Sequence, residues 1–514
     1  MKHVYTRFAL PVLICAFTVS CYKDLSTEAT KTLPEIEITS EYESLEIYYG
    51  ETFTFTPEVR IKGRKQSDIE YKWEMTIRPL TEKFDLELGT QKTLTYMVGN
   101  TPSNKPYILK LTVTDKVTGL VRSQSWDAYV LSPLGEGLLV AHTADGGKTS
   151  DLSLLKAPSV TSGYSESPRT THNLFSLSNG KPIEGRVSSL CPVVSSNMST
   201  YNLNRMFVGT DGELIALNYL DYKEDARNEA LFQFTPDEEI NVDFLINYAG
   251  YAHGLVANGK FYHYICNMNY LYNPVAYHYT PSDVFSSKTI TAAKYSQGDI
   301  YLIDVNQGSF FYMVGWKAGG SFEEISVNTT YQVKGATPLA CGIMKDEKAC
   351  FVSKAVDGNV YATMITYATP VISSNYNLTE VAPDIEDAKG FAFCDNADVF
   401  YYYTDRNIYA LIITGKSVTL RSVAWTPESQ NEKVTGLCQY QQGWYGTQQL
   451  SEIDYPHKLD THRLQMIITT YDETTGEGKI YLRPFNVSTG LFTMQSNGTY
   501  GGFNEITAIT PTLR

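Results

Sequence analysis

RMFVGTDGELIALN, residues 205–218, sets two apolar runs, Met206–Val208 and Leu214–Leu217, on either side of Asp211-Gly212. Glycine supplies the positive φ that a tight hairpin turn requires, so the stretch reads as two antiparallel strands and their turn. The unit recurs as HGLVANGKFYHY (253–264), IYLIDVNQGSFFYM (300–313), FVSKAVDGNVYATMI (351–365) and VFYYYTDRNIYALI (399–412). With Asp145-Gly146-Gly147 before them and Thr474–Gly478 after, seven such hairpins follow residue 134. The four consecutive turn-to-turn gaps between Asp211 and Asp405 are 47–50 residues. A second element comes before three of the hairpins, as TITAA (289–293), KGFAF (389–393) and KVTGL (433–437), and returns at the end of the chain as EITAI (505–509). A regular period of this length with about four short strands per unit is the pattern of a β-propeller. Seven hairpins predict seven blades over residues 133–514. EITAITPTLR (505–514) has no hairpin after it, so it is expected to close the ring by completing the first blade.

Upstream, residues 34–132 follow a different rule, strict alternation. In Tyr107–Asp115 (YILKLTVTD), Tyr107, Leu109, Leu111 and Val113 share one face, and Lys110, Thr112 and Thr114 the other. That is a half-buried strand. Asp115 opens a turn through Gly119, and LVRSQSWDAYV returns as the next strand. IEYKWEMTI (69–77) puts Tyr71, Trp73 and Met75 on one face. A central Trp facing such a strand predicts a small β-sandwich with Trp73 in its core. Its motifs resemble a PKD-like, immunoglobulin-type domain. The fold class expected for the whole chain is therefore all-β, a PKD/immunoglobulin-like sandwich followed by a propeller.

The beginning of the chain reads as an export signal. Lys2 and Arg7 are followed by the apolar stretch Phe8–Val19, which is too short to span a bilayer and suits a signal-peptide core. Ser20-Cys21 follows, and the pattern resembles a bacterial lipobox. Residues 1–20 are then a lipoprotein signal peptide, Cys21 the lipidated first mature residue, and 21–33 its polar tether. Lipidation changes the expected location from soluble to membrane-anchored. Net charge is −14 over 514 residues, which argues against a nucleic-acid partner, since such a partner needs clustered Lys/Arg. Tyrosine is abundant, with 38 residues, and suits both strands and wet binding surfaces. Six cysteines remain beyond Cys15 and Cys21: Cys191, Cys266, Cys341, Cys350, Cys394 and Cys438. No CxxC occurs. Cys341 and Cys350 flank a KDE turn where a pair could form, and the competing reading makes all six small buried hydrophobes.

CYKDLSTE (21–28), the PKD-like segment and PLGEGLLVAHTADGGKTSDLSLLK (133–156) together resemble the PKD-like lipoproteins of Bacteroidetes, over essentially the whole mature chain. The resemblance implies an outer-membrane location at the cell surface, an importer of the SusC/SusD type as partner, and an accessory role in binding a nutrient, glycan or peptide.

Chemistry is sparse. HExxH, GxSxG, P-loop and GxGxxG motifs are missing, and no catalytic residue, metal or cofactor is expected. His457, Asp460 and His462 in HKLDTH read as loop residues rather than a metal site. TADGGKTS (143–150) fits an Asp-box, in which Asp145 would cap a turn through backbone N–H groups, a structural device. A glycoside hydrolase or lyase on a propeller is the alternative function, and it would need a convergent pair of carboxylates. If the Asp-Gly and Asn-Gly turns join the second and third strands of each blade, the long loops leave from the opposite face. Those loops carry Tyr270, Tyr272, Tyr277, Tyr279, Trp316, Trp444 and Tyr445, the expected ligand-binding residues. Such rings stack on sugars and also anchor peptides and protein partners.

Overall fold

The computed structural model describes residues 34–77, 86–100, 102, 106–193, 205–232, 241–249, 252–265, 273–274, 285–293, 299–313, 322–325, 333–367, 369–442 and 458–512. The chain is all-β apart from a six-residue helix, Leu174–Asn179, and short 3₁₀ turns among those residues.

The first part is a sandwich. A five-stranded sheet runs in the order Ser44–Tyr48, Val121–Leu131, Tyr107–Asp115, Ile69–Ile77 and Leu86–Gly89. Two smaller ladders, Ile36–Thr39 with Glu58–Ile61 and Thr52–Phe55 with Leu94–Met97, share its core. The alternation foreseen for Tyr107–Asp115 holds: Leu109, Leu111 and Val113 are fully buried while Lys110, Thr112 and Thr114 are half-buried. Trp73 is completely enclosed, stacks on Trp126 at 6.0 Å between centroids, and donates its indole N–H to the Gln91 carbonyl at 2.9 Å. The turn begins where expected. Gly119, at φ +74°, donates its N–H to the Asp115 carbonyl at 2.7 Å. The Asp115 carboxylate accepts from Arg64 Nε at 2.8 Å, Thr118 Oγ1 at 2.6 Å and the Val117 N–H at 3.0 Å. The Arg64 hydrogen bond is the largest of the influences that hold the acid well below the usual carboxylate range.

From Gly137 onward the described strands form seven sheets, each with a run of four hydrogen-bonded antiparallel strands. In six of them the strands lie in chain order from the inside outward, starting with Val187–Val193, Val242–Ala249, Ile290–Ala292, Thr337–Met344, Gly390–Phe393 and Glu432–Gln439. The remaining sheet is built from both ends of this region. Its inner strand is Glu505–Thr512, followed by Gly137–Thr143, Thr149–Lys156 and Arg169–Thr171, with Ile183–Glu184 pairing beside the third. Each inner strand neighbours that of the next sheet, and Glu432–Gln439 neighbours Glu505–Thr512, so the circuit closes. This is propeller architecture, and it leaves few strand edges exposed.

Stacking one sheet face on the next explains the continuous apolar runs. Gly137–Thr143, Ile300–Asp304 and Val399–Tyr403 are buried at every residue, so they cannot alternate. Asp211-Gly212, Asn258-Gly259 and Asp357-Gly358 each join the second and third strands of a sheet, as the sequence implied. The Asp145 turn does the same in the sheet of Gly137–Thr143. Its carboxylate accepts from the Thr149 N–H at 2.9 Å, Thr149 Oγ1 at 2.7 Å and Thr143 Oγ1 at 3.0 Å. The Thr149 backbone hydrogen bond leads the causes that lower its pKa to about 2.

The cysteine question has a geometric answer. Cys341 stands opposite Phe351 and Cys350 opposite Gly342, so the two sulfurs project from opposite faces of one ladder. Both thiols are free, and burial raises the pKa of each well above that of an ordinary thiol. Cys191 and Cys394 are also buried, and neither is in a disulfide.

Ile506, only 4% exposed, packs at the closing strand. Ile506→Ala should cost about 2–4 kcal/mol, read from denaturant unfolding by far-UV circular dichroism. A loss under about 0.5 kcal/mol, ordinary for a surface change, would mean that the closure contributes little. Asp145 gives a prediction about acid. Its carboxyl pKa is depressed in the folded chain, so its contribution is present above about pH 4 and is lost as pH falls towards 2. The melting-temperature gap between the native chain and Asp145→Asn should therefore be widest at neutral pH and close near pH 2.

Candidate functional site

The inner strands leave a cavity of about 370 Å³ at one end of the central channel. Pro192, Ala292, Ile343, Phe393, Gln439 and Pro511, each from a different inner strand or its end, line it. All lie in the second half of their strands, which in the six sheets built in chain order is the end from which the chain passes to the second strand. The Asp145, Asp211 and Asp357 turns belong to the other end.

Phe393 reaches the wall because residue 342 of the adjoining strand is glycine. A Cβ on Gly342 would stand 2.2 Å from the Phe393 ring. Phe393 also stacks on Phe400, with centroids 5.8 Å apart.

The polar side of the cavity comes from the sixth and seventh sheets. Asp395 sits in the short turn between Gly390–Phe393 and Val399–Tyr403. Arg463, at φ +61°, precedes Gln465–Asp472 and donates Nε and Nη2 to Asp395 Oδ2 at 3.1 and 2.8 Å. Gln441 Nε2 donates to the same oxygen at 2.8 Å. Gln439 ties the turns together: its Oε1 accepts from the Asp395 N–H at 3.2 Å, and its Nε2 donates to Asn396 Oδ1 at 2.7 Å and to the Arg463 carbonyl at 3.0 Å. Next to it, Gln442 Nε2 donates to Glu136 Oε1 at 2.6 Å, and Gln442 Oε1 accepts from the Leu459 N–H at 2.8 Å. These bonds hold amides and a charge pair in place, which limits the ordering cost of binding a ligand. The Asp395 side chain is 6% exposed, and its Oδ1 is buried without a hydrogen-bond partner.

The sequence did not single out Asp395, Arg463 or the three glutamines. The signal available was the amide run Gln439-Tyr440-Gln441-Gln442, just ahead of the loop residues Trp444 and Tyr445. Tyr270, Tyr272, Tyr277, Tyr279, Trp316, Trp444 and Tyr445 lie outside the described residues, as do Cys21 and His457. Trp444 and Tyr445 follow Gln442 in sequence after the single residue Gly443. His462 accepts the Gln442 N–H on Nδ1 at 3.0 Å, a structural contact, and no group of three or more metal-ligating side chains occurs among the described residues.

No protein-family model matches this chain, and no curated protein does. Among solved structures, a quinoprotein alcohol dehydrogenase-like protein from Bacteroides thetaiotaomicron is similar at 13% identity and a TM-score of 0.41, over 93% of this chain and 99% of that one. Apo AztD from Citrobacter koseri is similar at 8% identity and a TM-score of 0.36, over 86% of this chain and 97% of that one. PorZ, a surface component of the type-IX secretion system of Porphyromonas gingivalis, is similar at 12% identity and a TM-score of 0.32, over 78% of this chain and 51% of that one. Similarity at this level says nothing of ligand, partner or activity, and the propeller architecture rests on the strand order above.

Gly342→Ala should force the Phe393 ring to move and cost about 1–3 kcal/mol, the range for overpacking a filled site. Thermal unfolding of the purified variant measures it, and an unchanged midpoint would show that the ring moves freely.

Proposed function

We propose that this chain is a lipid-anchored outer-membrane protein of the cell surface, and an accessory nutrient-binding component of a SusC/SusD-type uptake system. In this reading residues 1–20 are the signal, Cys21 carries the lipid, 21–33 are a tether, 34–132 form a PKD-like sandwich and 133–514 a seven-bladed propeller. The nutrient is a glycan or a peptide.

The supporting observation is the amide-rich cavity at the channel end. Glutamine amides both donate and accept, and next to the wall of Phe391 and Phe393 they suit a polar organic ligand better than an ion. Asp395, the carboxylate among the described lining residues, is held in an ion pair with Arg463.

The test is a mild-detergent pull-down of the tagged protein from its own outer membrane, with Cys21→Ser as control. Co-purification of a large barrel and a SusD-like lipoprotein with the native chain, and their loss with Cys21→Ser, is the expected outcome. Recovery of the native chain alone would overturn the importer role.

A further inference from the structure

We infer that the channel-end cavity is a subsite for a neutral saccharide, with Asp395 Oδ1 accepting a sugar hydroxyl. This rests on the binding role proposed above and names its ligand class.

Asp395 has unequal oxygens. Oδ2 takes three donors, two from Arg463 and one from Gln441, whereas Oδ1 takes none although it is buried. An unsatisfied buried acceptor costs about 1–3 kcal/mol, more when charged, and a ligand donor that reaches it through a small side-chain shift would recover it. The surroundings select the donor. Arg463 already balances the carboxylate charge at 2.8 Å, so an added ammonium would compete with a bound guanidinium. A hydroxyl brings a proton without a charge. A sugar also offers adjacent hydroxyls that donate and accept in turn, which matches a carboxylate oxygen beside a glutamine amide.

Size and wall chemistry agree. A volume of about 370 Å³ lies near the lower end of ligand pockets, roughly 300–1,000 Å³. It fits the end of a saccharide chain and is too small for a folded partner. Ile343, Phe393, Leu437 and Ile509 give the apolar faces against which the C–H side of a pyranose ring packs.

Cys438 provides a readout without mutation. It lines the cavity, is partly exposed and is not in a disulfide. The experiment screens the purified full chain against an array of neutral glycans and a set of neutral tripeptides. The tightest binder is then titrated calorimetrically into native and Asp395→Asn protein, and alkylation of Cys438 by iodoacetamide is followed by mass spectrometry with and without it. The expected result is a glycan that slows Cys438 alkylation several-fold, leaves Cys341 unaffected, and binds Asp395→Asn about tenfold more weakly. If Asp395→Asn does not fold, protection of Cys438 in the native chain decides. A glycan that binds without protecting Cys438 or sensing the substitution would overturn the subsite and leave the nutrient role standing. Tripeptides that protect Cys438 where no glycan does would also overturn it. Failure of both sets would remove the subsite and the binding role together.

Discussion

The ring depends on one pairing, that of Glu505–Thr512 with Gly137–Thr143. Every other sheet from Gly137 onward is made of strands close in sequence. This sheet joins strands more than 360 residues apart, as the Asn504–His142 contact shows. Loop-closure entropy grows with the logarithm of separation, so joining such distant strands costs about 2 kcal/mol more than closing a unit of about 50 residues. What offsets it is burial. Ile506 lies in a core shared with Leu138, Val140 and Ile467, and Thr512 Oγ1 adds a hydrogen bond to the Gly135 carbonyl at 2.7 Å. The seventh sheet and the sheet of Gly137–Thr143 share this core, so it fixes both.

Much of that was legible in the residues. The hairpin turns, their spacing and the unpaired EITAI segment all follow local rules, because positive φ and apolar runs show themselves within a dozen residues. Trp73 and its alternating partner strand were legible for the same reason. The helix Leu174–Asn179 was not, since its six residues are too few for a period to appear. Its Phe175 and Ser176 N–H groups donate to Asp151 Oδ1 at 3.1 and 3.2 Å, a contact made across the fold.

The candidate site was hidden for a different reason. Asp395 and Arg463 are 68 residues apart and meet only because two sheets stand side by side. Neither belongs to a motif, and an aspartate in a turn ordinarily caps that turn. The aromatic loops drew the eye because tyrosine and tryptophan are conspicuous in sequence. Amides at strand ends are not, and a glycine such as Gly342 gains its meaning only from the Phe393 ring lying against it.

The closing pairing also governs how the molecule bears load. Gly137–Thr143 lies between Glu505–Thr512 and Thr149–Lys156 in one sheet, and the sandwich enters the ring directly before it. A pull applied along this strand loads it from its first residue. Both flanking ladders are then strained in shear, with their hydrogen bonds loaded together rather than peeled one at a time. The seam where the ring closes is thus also the part of it that resists such a pull.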